Sequence, residues 1–227
     1  RHDGISLARK HPEVLAEVVE EANGEGVVRD ISITMGIPRD PLEGLNLYVG
    51  TLSCVKDVSN NAALHGQFFP APDISYYEKL YSSGLDTLGL HIDVFDENVM
   101  SHLASGKFKS GGVKIYEKAW RDAVEVFGDS QVSTFILAGL GESREKMMEA
   151  AEMISSLGVI PYVLPHRPNA STLTGGLLPP DPGYMKDMYI IFSDGMRRYG
   201  VDINKNKGGC MRCQACSVLK EVFYGSF

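Results

Sequence analysis

The sequence has 227 residues, 22 basic and 29 acidic side chains, and a formal net charge of −7. That length can bury a large core in one domain or two. No apolar run of about eighteen residues occurs, so we expect no membrane span. The acidic balance and the lack of a long basic run argue against nucleic acid as the main partner. Four cysteines without a paired framework indicate a reducing compartment, and we therefore expect a cytoplasmic protein.

In chain order, the apolar periodicity predicts helices that alternate with strands. The first helix, over 8–22, carries apolar side chains on one face and is expected to end at Asn23-Gly24. The predicted strands are 27–35, 64–69, 87–94, 131–137 and 160–164, and the further helices are 45–58, 74–82, 113–127, 144–157 and 183–199. This alternation predicts a parallel sheet with helices outside it. We expect one barrel domain over 1–200 and a C-terminal segment over 201–227.

Three successive predicted strands have one polar face. Ser32 and Thr34 lie on the first, His65 and Gln67 on the second, and His91 and Asp93 on the third, each opposed by apolar neighbours. A doubly wound sheet buries both faces, so its strands are apolar throughout. The pattern therefore favours a partial (β/α)6 TIM-like barrel whose polar faces line a lumen. Edge strands with one solvated face are the alternative.

The carboxyl ends of barrel strands carry the active groups in such folds. His91 and Asp93, two residues apart, could handle a proton or hold a polar substrate. The two glycines of a Gly-Leu-Gly-Glu turn allow a ligand to approach closely, although many packing turns look alike. Arg167 offers a planar fork to a carboxylate, or forms a surface ion pair. The candidate ligand-binding residues are Thr34, Gly36, His91, Asp93, Gly139, Gly141, Glu142, His166 and Arg167.

The C-terminal segment contains three of the four cysteines, Cys210, Cys213 and Cys216. Their C-x2-C-x2-C spacing lets the three thiols face one centre, and the preceding glycines give sulfur ligands room. Soft thiolates packed this closely select iron–sulfur clusters or zinc. Zinc normally requires four ligands in a closed site, and no fourth ligand is obvious nearby.

Several stretches resemble radical S-adenosylmethionine (SAM) enzymes, most closely the biotin synthase and lipoyl synthase group. The stretches are Ile31-Ser32-Ile33-Thr34-Met35-Gly36, the run from Leu85 to Lys107, and Val132 to Glu142 with its Gly-Leu-Gly-Glu turn. The resemblance covers roughly 12–217. It implies that the end of the first predicted strand receives the methionyl amine of SAM and that the Gly139–Glu142 turn lies near the adenosyl group.

One departure concerns the C-x3-C-x2-C loop that defines this family, because the sequence contains no such loop. The resemblance implies that the first strand and the SAM-binding 4Fe–4S cluster belong to sequence upstream of Arg1. The triplet Cys210, Cys213 and Cys216 then corresponds to an auxiliary 4Fe–4S cluster.

The resemblance implies C–H activation by a 5′-deoxyadenosyl radical and sulfur insertion of the lipoyl synthase type, most like that of the two-component lipoyl synthases. The resemblance implies SAM, a small or carrier-bound acyl substrate, a reductant protein and a second radical SAM subunit as partners. A non-catalytic scaffold or partner subunit with a structural metal is the alternative. A metal-free barrel aldolase or isomerase would require a lysine or paired acids in the lumen, and no lysine is well placed on a predicted strand.

Overall fold

The computed structural model describes residues 9–226, which form one α/β unit with a five-stranded parallel sheet in the order β1-β2-β3-β4-β5. The strands are β1 (Asp30–Thr34), β2 (Ala63–Gln67), β3 (Thr87–Gly89), β4 (Val132–Ala138) and β5 (Ile160–Pro165). The helices are α1 (Pro12–Glu25), α2 (Pro41–Val58), α3 (Ser75–Ser82), α4 (Glu97–Leu103), α5 (Ser105–Lys109), α6 (Gly112–Phe127), α7 (Arg144–Ser156), α8 (Pro182–Tyr199), α9 (Cys210–Cys213) and α10 (Leu219–Phe223).

Local sequence fixes the start of several helices. Asp40 and Asp181 each accept backbone N–H groups at the first turn of α2 and α8, and a proline follows each of them. Ser143 caps α7 in the same way. These caps satisfy N–H groups that have no partner within the helix, and so they set where each helix begins.

The outer face of the sheet packs against the helices. Leu88 and Leu90 are fully buried there, and the Trp120 indole of α6 donates a hydrogen bond of 3.0 Å to the Leu90 carbonyl. Helix α6 also contacts β4, while α7 and α8 pack on β5. The predicted α/β class and the parallel sheet of a partial barrel are therefore confirmed.

Several predicted bounds differ from the structure. The first helix runs past Asn23-Gly24 to Glu25, and Ala8, where the prediction began, lies outside the described residues. The strand predicted over 27–35 is reduced to Asp30–Thr34. Four short helices, α4, α5, α9 and α10, were missed because each has fewer than two turns and shows no periodicity.

The barrel is open between β1 and β5 over the described residues, because β1 pairs only with β2 and β5 only with β4. Five strands are present in this part of the chain, whereas six were predicted for the whole barrel. The sixth strand, expected upstream of Arg1, stays a prediction. Over the same residues no helix is long and apolar enough to cross a membrane.

The inner face of the sheet is covered by the C-terminal segment, here defined as residues 200–226. Asn206 donates a hydrogen bond of 2.7 Å to the Ser130 carbonyl just before β4. The Gly209 N–H reaches the Asp30 carboxylate of β1 at 3.2 Å. The Ser217 hydroxyl donates to the Val163 carbonyl of β5 at 2.7 Å. The segment thus crosses the inner face of the open sheet from β1 to β5, where a polar lumen was expected.

Candidate functional site

The third predicted strand is interrupted, and this separates His91 from Asp93. Strand β3 pairs with β4 at Leu88 and Val132, and pairing resumes at Asp93 and Ile136. One extra residue on the β3 side makes this a bulge, which reverses the face of every later side chain. Asp93 also adopts a φ of 62°, in the left-handed region. The prediction that His91 and Asp93 share one lumen face on a strand over 87–94 is therefore wrong.

His91 occupies the bulge on the inner face. Its Nδ1 accepts a hydrogen bond of 3.2 Å from the Phe135 N–H, which replaces a ladder bond, and its ring stacks on the Phe135 ring with centroids 3.7 Å apart. The proton of the neutral ring therefore lies on Nε2, which is buried and has no hydrogen-bond partner within residues 9–226. Burial, assisted by the nearby His65 and Lys107, lowers the pKa of His91 to about 3. His91 is thus a neutral N–H donor at physiological pH.

His65 of β2 lies beside His91 on the same face. Its Nδ1 is 2.8 Å from the Thr87 hydroxyl, and its Nε2 is buried without a hydrogen-bond partner in the part of the chain that the structure describes. A Cβ at Gly89 would lie 2.8 Å from His91 Nε2 and 3.3 Å from His65 Nε2, so the two rings approach the backbone because residue 89 has no side chain. Burial lowers the pKa of His65 to about 4.

Asp93 is directed towards α5 and α6. Its carboxylate forms an ion pair with Lys107, whose ammonium group also donates to the His91 carbonyl at 2.7 Å. The Lys107 ammonium lies 5.7 Å from the centre of the Tyr116 ring of α6. The pKa of Tyr116 is raised mainly by burial and further by Asp93. Lys107 therefore holds the backbone of the bulge through the His91 carbonyl, and it neutralises the charge of Asp93.

The end of β1 opens into a cavity of about 380 Å³ between α1, β1 and α2. Thr34 and Gly36 line it, and no heavy atom lies within 4 Å of the position that a Cβ would take at Gly36. A ligand can therefore approach the backbone at this strand end. Gly139 and Glu142 do not line this cavity, although the resemblance implied that they surround the same ligand.

The Gly139-Leu140-Gly141-Glu142 turn after β4 is closed by its own acid. The Glu142 carboxylate accepts the Gly139 and Leu140 N–H groups at 2.6 and 2.7 Å, and it also accepts the Tyr184 hydroxyl of α8. A Cβ at Gly139 would lie 2.7 Å from Pro180. Gly139 and Gly141 both have positive φ, as this tight turn requires. This geometry is that of a packing turn, and a cofactor contact for Glu142 stays a prediction.

A second cavity, of about 280 Å³, lies where β4 and β5 end. It is lined by Leu137, Leu164, Pro165, His166, Arg167 and Cys216. His166 is only 6% exposed, and its Nε2 has no hydrogen-bond partner among the described residues. The Arg167 side chain is exposed and forms no ion pair within residues 9–226. The cavity therefore joins two of the predicted site residues to one of the predicted cluster cysteines.

The three C-terminal thiols lie near enough to Tyr162 of β5 to act on its pKa. The pKa of Tyr162 is raised first by burial and then by the charges of Cys210, Cys216 and Cys213. Burial also raises the pKa of Cys210, which is half-buried, while Cys213 and Cys216 are exposed. In the part of the chain that the structure describes, no group of three or more His, Cys, Asp or Glu side chains is close enough to hold a metal ion. Cysteine thiols are the ligand type that an iron–sulfur cluster requires, and all three lie near Tyr162. They do not converge on one centre.

Sequence reasoning missed Lys107, Tyr162 and Tyr184 as parts of this region. Each lies far from its partner along the chain, so no local spacing indicated the contact. The resemblance already extended to Lys107, but no pattern in the sequence indicated that its side chain pairs with Asp93.

Similar proteins share this fold. Methylornithine synthase (PylB) superposes with a TM-score of 0.62 at 18% identity, over 82% of this chain and 52% of that one. HydG, a maturase of the [FeFe]-hydrogenase, superposes with a TM-score of 0.63 at 15% identity, over 88% of this chain and 46% of that one. Both are radical SAM enzymes with partial TIM barrels. At these identities the likeness shows the fold.

One curated relative was found at the sequence level. Bacteriochlorophyllide c C-7(1)-hydroxylase of Chlorobaculum limnaeum, a radical SAM hydroxylase, is 26% identical over 146 residues, which are 61% of this chain and 36% of that protein. No family model matches the sequence. The chain thus spans about a third of this relative and about half of the two solved structures. The comparisons support the radical SAM barrel and give no specific support to the biotin synthase and lipoyl synthase group.

Proposed function

We propose that this chain is the greater part of the barrel of a radical SAM enzyme that activates a C–H bond of its substrate. The observation that carries the proposal is the parallel partial barrel, which superposes on two radical SAM enzymes over more than four-fifths of its length. The SAM-binding 4Fe–4S cluster is assigned to sequence upstream of Arg1, next to the exposed outer edge of β1.

Residues at the strand ends have distinct roles in this proposal. Thr34 and Gly36 present an open backbone to the methionyl part of SAM. Glu142 contributes indirectly, because it fixes the turn at Gly139 and Gly141 and so sets the shape of the strand end. Asp93 acts through Lys107 on the bulge and does not touch ligand.

The bound cofactors supply the electron and the radical that removes a hydrogen atom, and the protein supplies position and exclusion of water. The covered inner face suits that task. His65 and His91 are neutral at physiological pH, so they add hydrogen-bonding capacity to the interior without adding charge.

A finer proposal concerns the reaction type. We infer that Cys210, Cys213 and Cys216 hold an auxiliary 4Fe–4S cluster and that the enzyme inserts sulfur into a small or carrier-bound acyl substrate, as lipoyl synthases do. In this proposal the enzyme works with a reductant protein and a second radical SAM subunit. The C-x2-C-x2-C spacing and the effect of all three thiols on the pKa of Tyr162 support it.

The test of the radical SAM proposal uses full-length protein that includes the upstream sequence, purified without oxygen and reduced with dithionite. We expect it to convert SAM to 5′-deoxyadenosine and to bind SAM at equilibrium. Gly36→Val should weaken SAM binding, since a side chain would enter the open cavity at the end of β1. Gly26→Val is the matched control, because residue 26 is equally open but lies outside that cavity. Absence of SAM binding and cleavage in iron-loaded protein would refute the proposal.

A further inference from the structure

The cavity at the ends of β4 and β5 has the chemistry of a carboxylate-binding site. Its walls are apolar at Leu137, Leu164 and Pro165. Its polar groups are the buried His166 imidazole, the Cys216 thiol and the Arg167 guanidinium group, which forms no ion pair with any described residue. Buried polar atoms in proteins almost always have a hydrogen-bond partner, so the Nε2 of His166 requires one that residues 9–226 do not provide.

We propose that this cavity binds the substrate through a carboxylate group, which Arg167 and His166 hold, with the apolar body of the substrate against Leu137 and Leu164. An arginine fork matches a carboxylate in geometry and charge. The volume of about 280 Å³ lies at the lower limit for ligand pockets, so the bound part of the substrate is small. This inference rests on the proposed function, because it names the substrate class of the same barrel.

The position of Cys216 gives the cavity a second property. This thiol lines the cavity, so a carboxylate ligand placed there also covers it. Cys213 is exposed as well but does not line the cavity, which makes it an internal reference in the same chain. The two cysteines therefore report differently on whether the site is filled.

The first experiment is calorimetric titration of the full chain with straight-chain carboxylates from butyrate to decanoate and with the primary alcohols of the same lengths. We expect the carboxylates to bind roughly ten to a hundred times more tightly than the alcohols, the value of a charged hydrogen bond. Arg167→Gln should lose that preference, Arg167→Lys should keep part of it, and Arg121→Gln on the surface of α6 should keep all of it. Circular dichroism and thermal melting of each variant show whether it is folded.

The second experiment measures iodoacetamide alkylation of each cysteine in the full chain after removal of iron, with and without the best-binding carboxylate. We expect slower reaction at Cys216 and unchanged reaction at Cys213. Equal affinity for carboxylates and alcohols, retention of the preference in folded Arg167→Gln, or equal protection of both thiols would overturn the inference. Neither measurement needs SAM or iron, so a protein that cleaves SAM yet ignores carboxylates loses only this inference. One that binds carboxylates without cleaving SAM loses only the proposed function.

Discussion

The two edges of the sheet, β1 and β5, differ in how much of each strand is buried. β1 alternates between exposed and half-buried residues along its whole length, and its outer edge pairs with no strand in residues 9–226. The first four residues of β5 are fully buried, and the C-terminal segment is bonded to its Val163 carbonyl. An unpaired strand edge invites pairing with further chain. The sixth strand stays a prediction, and the outer edge of β1 is where it would pair.

The C-terminal segment connects these edges, since it contacts Asp30 of β1 and Val163 of β5. It thus covers the open side of the barrel and links its two edge strands, as full closure of the barrel would. Its two ends are unequal: contacts with β4 and β5 are buried, whereas the contact with β1 is partly exposed. Four experiments compare burial across the sheet and the segment, from the largest expected effect to the smallest.

The largest effect compares the same residue type at the two edges. Ile160 of β5 is fully buried, and Ile31 of β1 is half-buried. Ile160→Ala should lower the free energy of unfolding by about 2–5 kcal/mol, the usual cost of a core truncation. Ile31→Ala should cost about 1 kcal/mol because less apolar area is lost. Urea unfolding of the two variants measures both, and equal costs would show that β1 is as well buried as β5.

The next effect is at Gly209, where the C-terminal segment crosses His65. Residue 209 has a φ of 70°, and a Cβ there would lie 2.3 Å from the His65 ring. Gly209→Ala should therefore cost about 2–4 kcal/mol through backbone strain and overpacking. It should also speed the alkylation of Cys210 by releasing the segment. Gly26→Ala, at an open position, is the control. An unchanged Cys210 rate in Gly209→Ala would argue against a docked segment.

A smaller effect depends on pH. Because the folded-state pKa of His91 is lowered from 6.5 to about 3, the unfolded chain takes up its proton first as the pH falls. The contribution of neutral His91 to the free energy of unfolding is thus complete above pH 6.5 and declines as the pH falls towards 3. From pH 6.5 to 5 the wild type should lose about 2 kcal/mol more unfolding free energy than His91→Asn. Parallel urea titrations at the two pH values measure this difference, and identical losses would show that His91 is solvated.

The smallest effect is expected at the ion pair between Arg212 and Asp30, whose closest atoms are 3.6 Å apart. Both side chains are partly exposed, so water and salt weaken the pair. Arg212→Gln should change the unfolding free energy by less than about 1 kcal/mol, and added salt should remove the difference. A larger, salt-resistant cost would mean that the segment is held on β1 as firmly as on β5.

The local part of the fold was predictable from the sequence. Apolar periodicity gave the helices α6, α7 and α8 to within one or two residues. The alternation of polar and apolar residues gave the inner face of β1 and β2. These features depend on neighbours within a few positions, which a single sequence displays.

The long-range part was not predictable. The bulge between Leu88 and Asp93 arises from pairing with β4, and no residue type there demands it. The crossing of the C-terminal segment depends on contacts such as that between Gly209 and Asp30, which are 179 positions apart. Periodicity carries no information on such contacts, and so the lumen was expected to be open.

The proposed auxiliary cluster is tested most directly by counting iron in full-length protein prepared without oxygen. The wild type is compared with a triple variant in which Cys210, Cys213 and Cys216 are replaced by Ala. If the three thiols hold an auxiliary 4Fe–4S cluster, the triple variant should lose about four iron atoms per chain, its Mössbauer spectrum should lose one cluster, and SAM cleavage should survive. Full iron content in the triple variant, or one bound zinc in the wild type at these cysteines, would contradict the account and favour a scaffold with a structural metal.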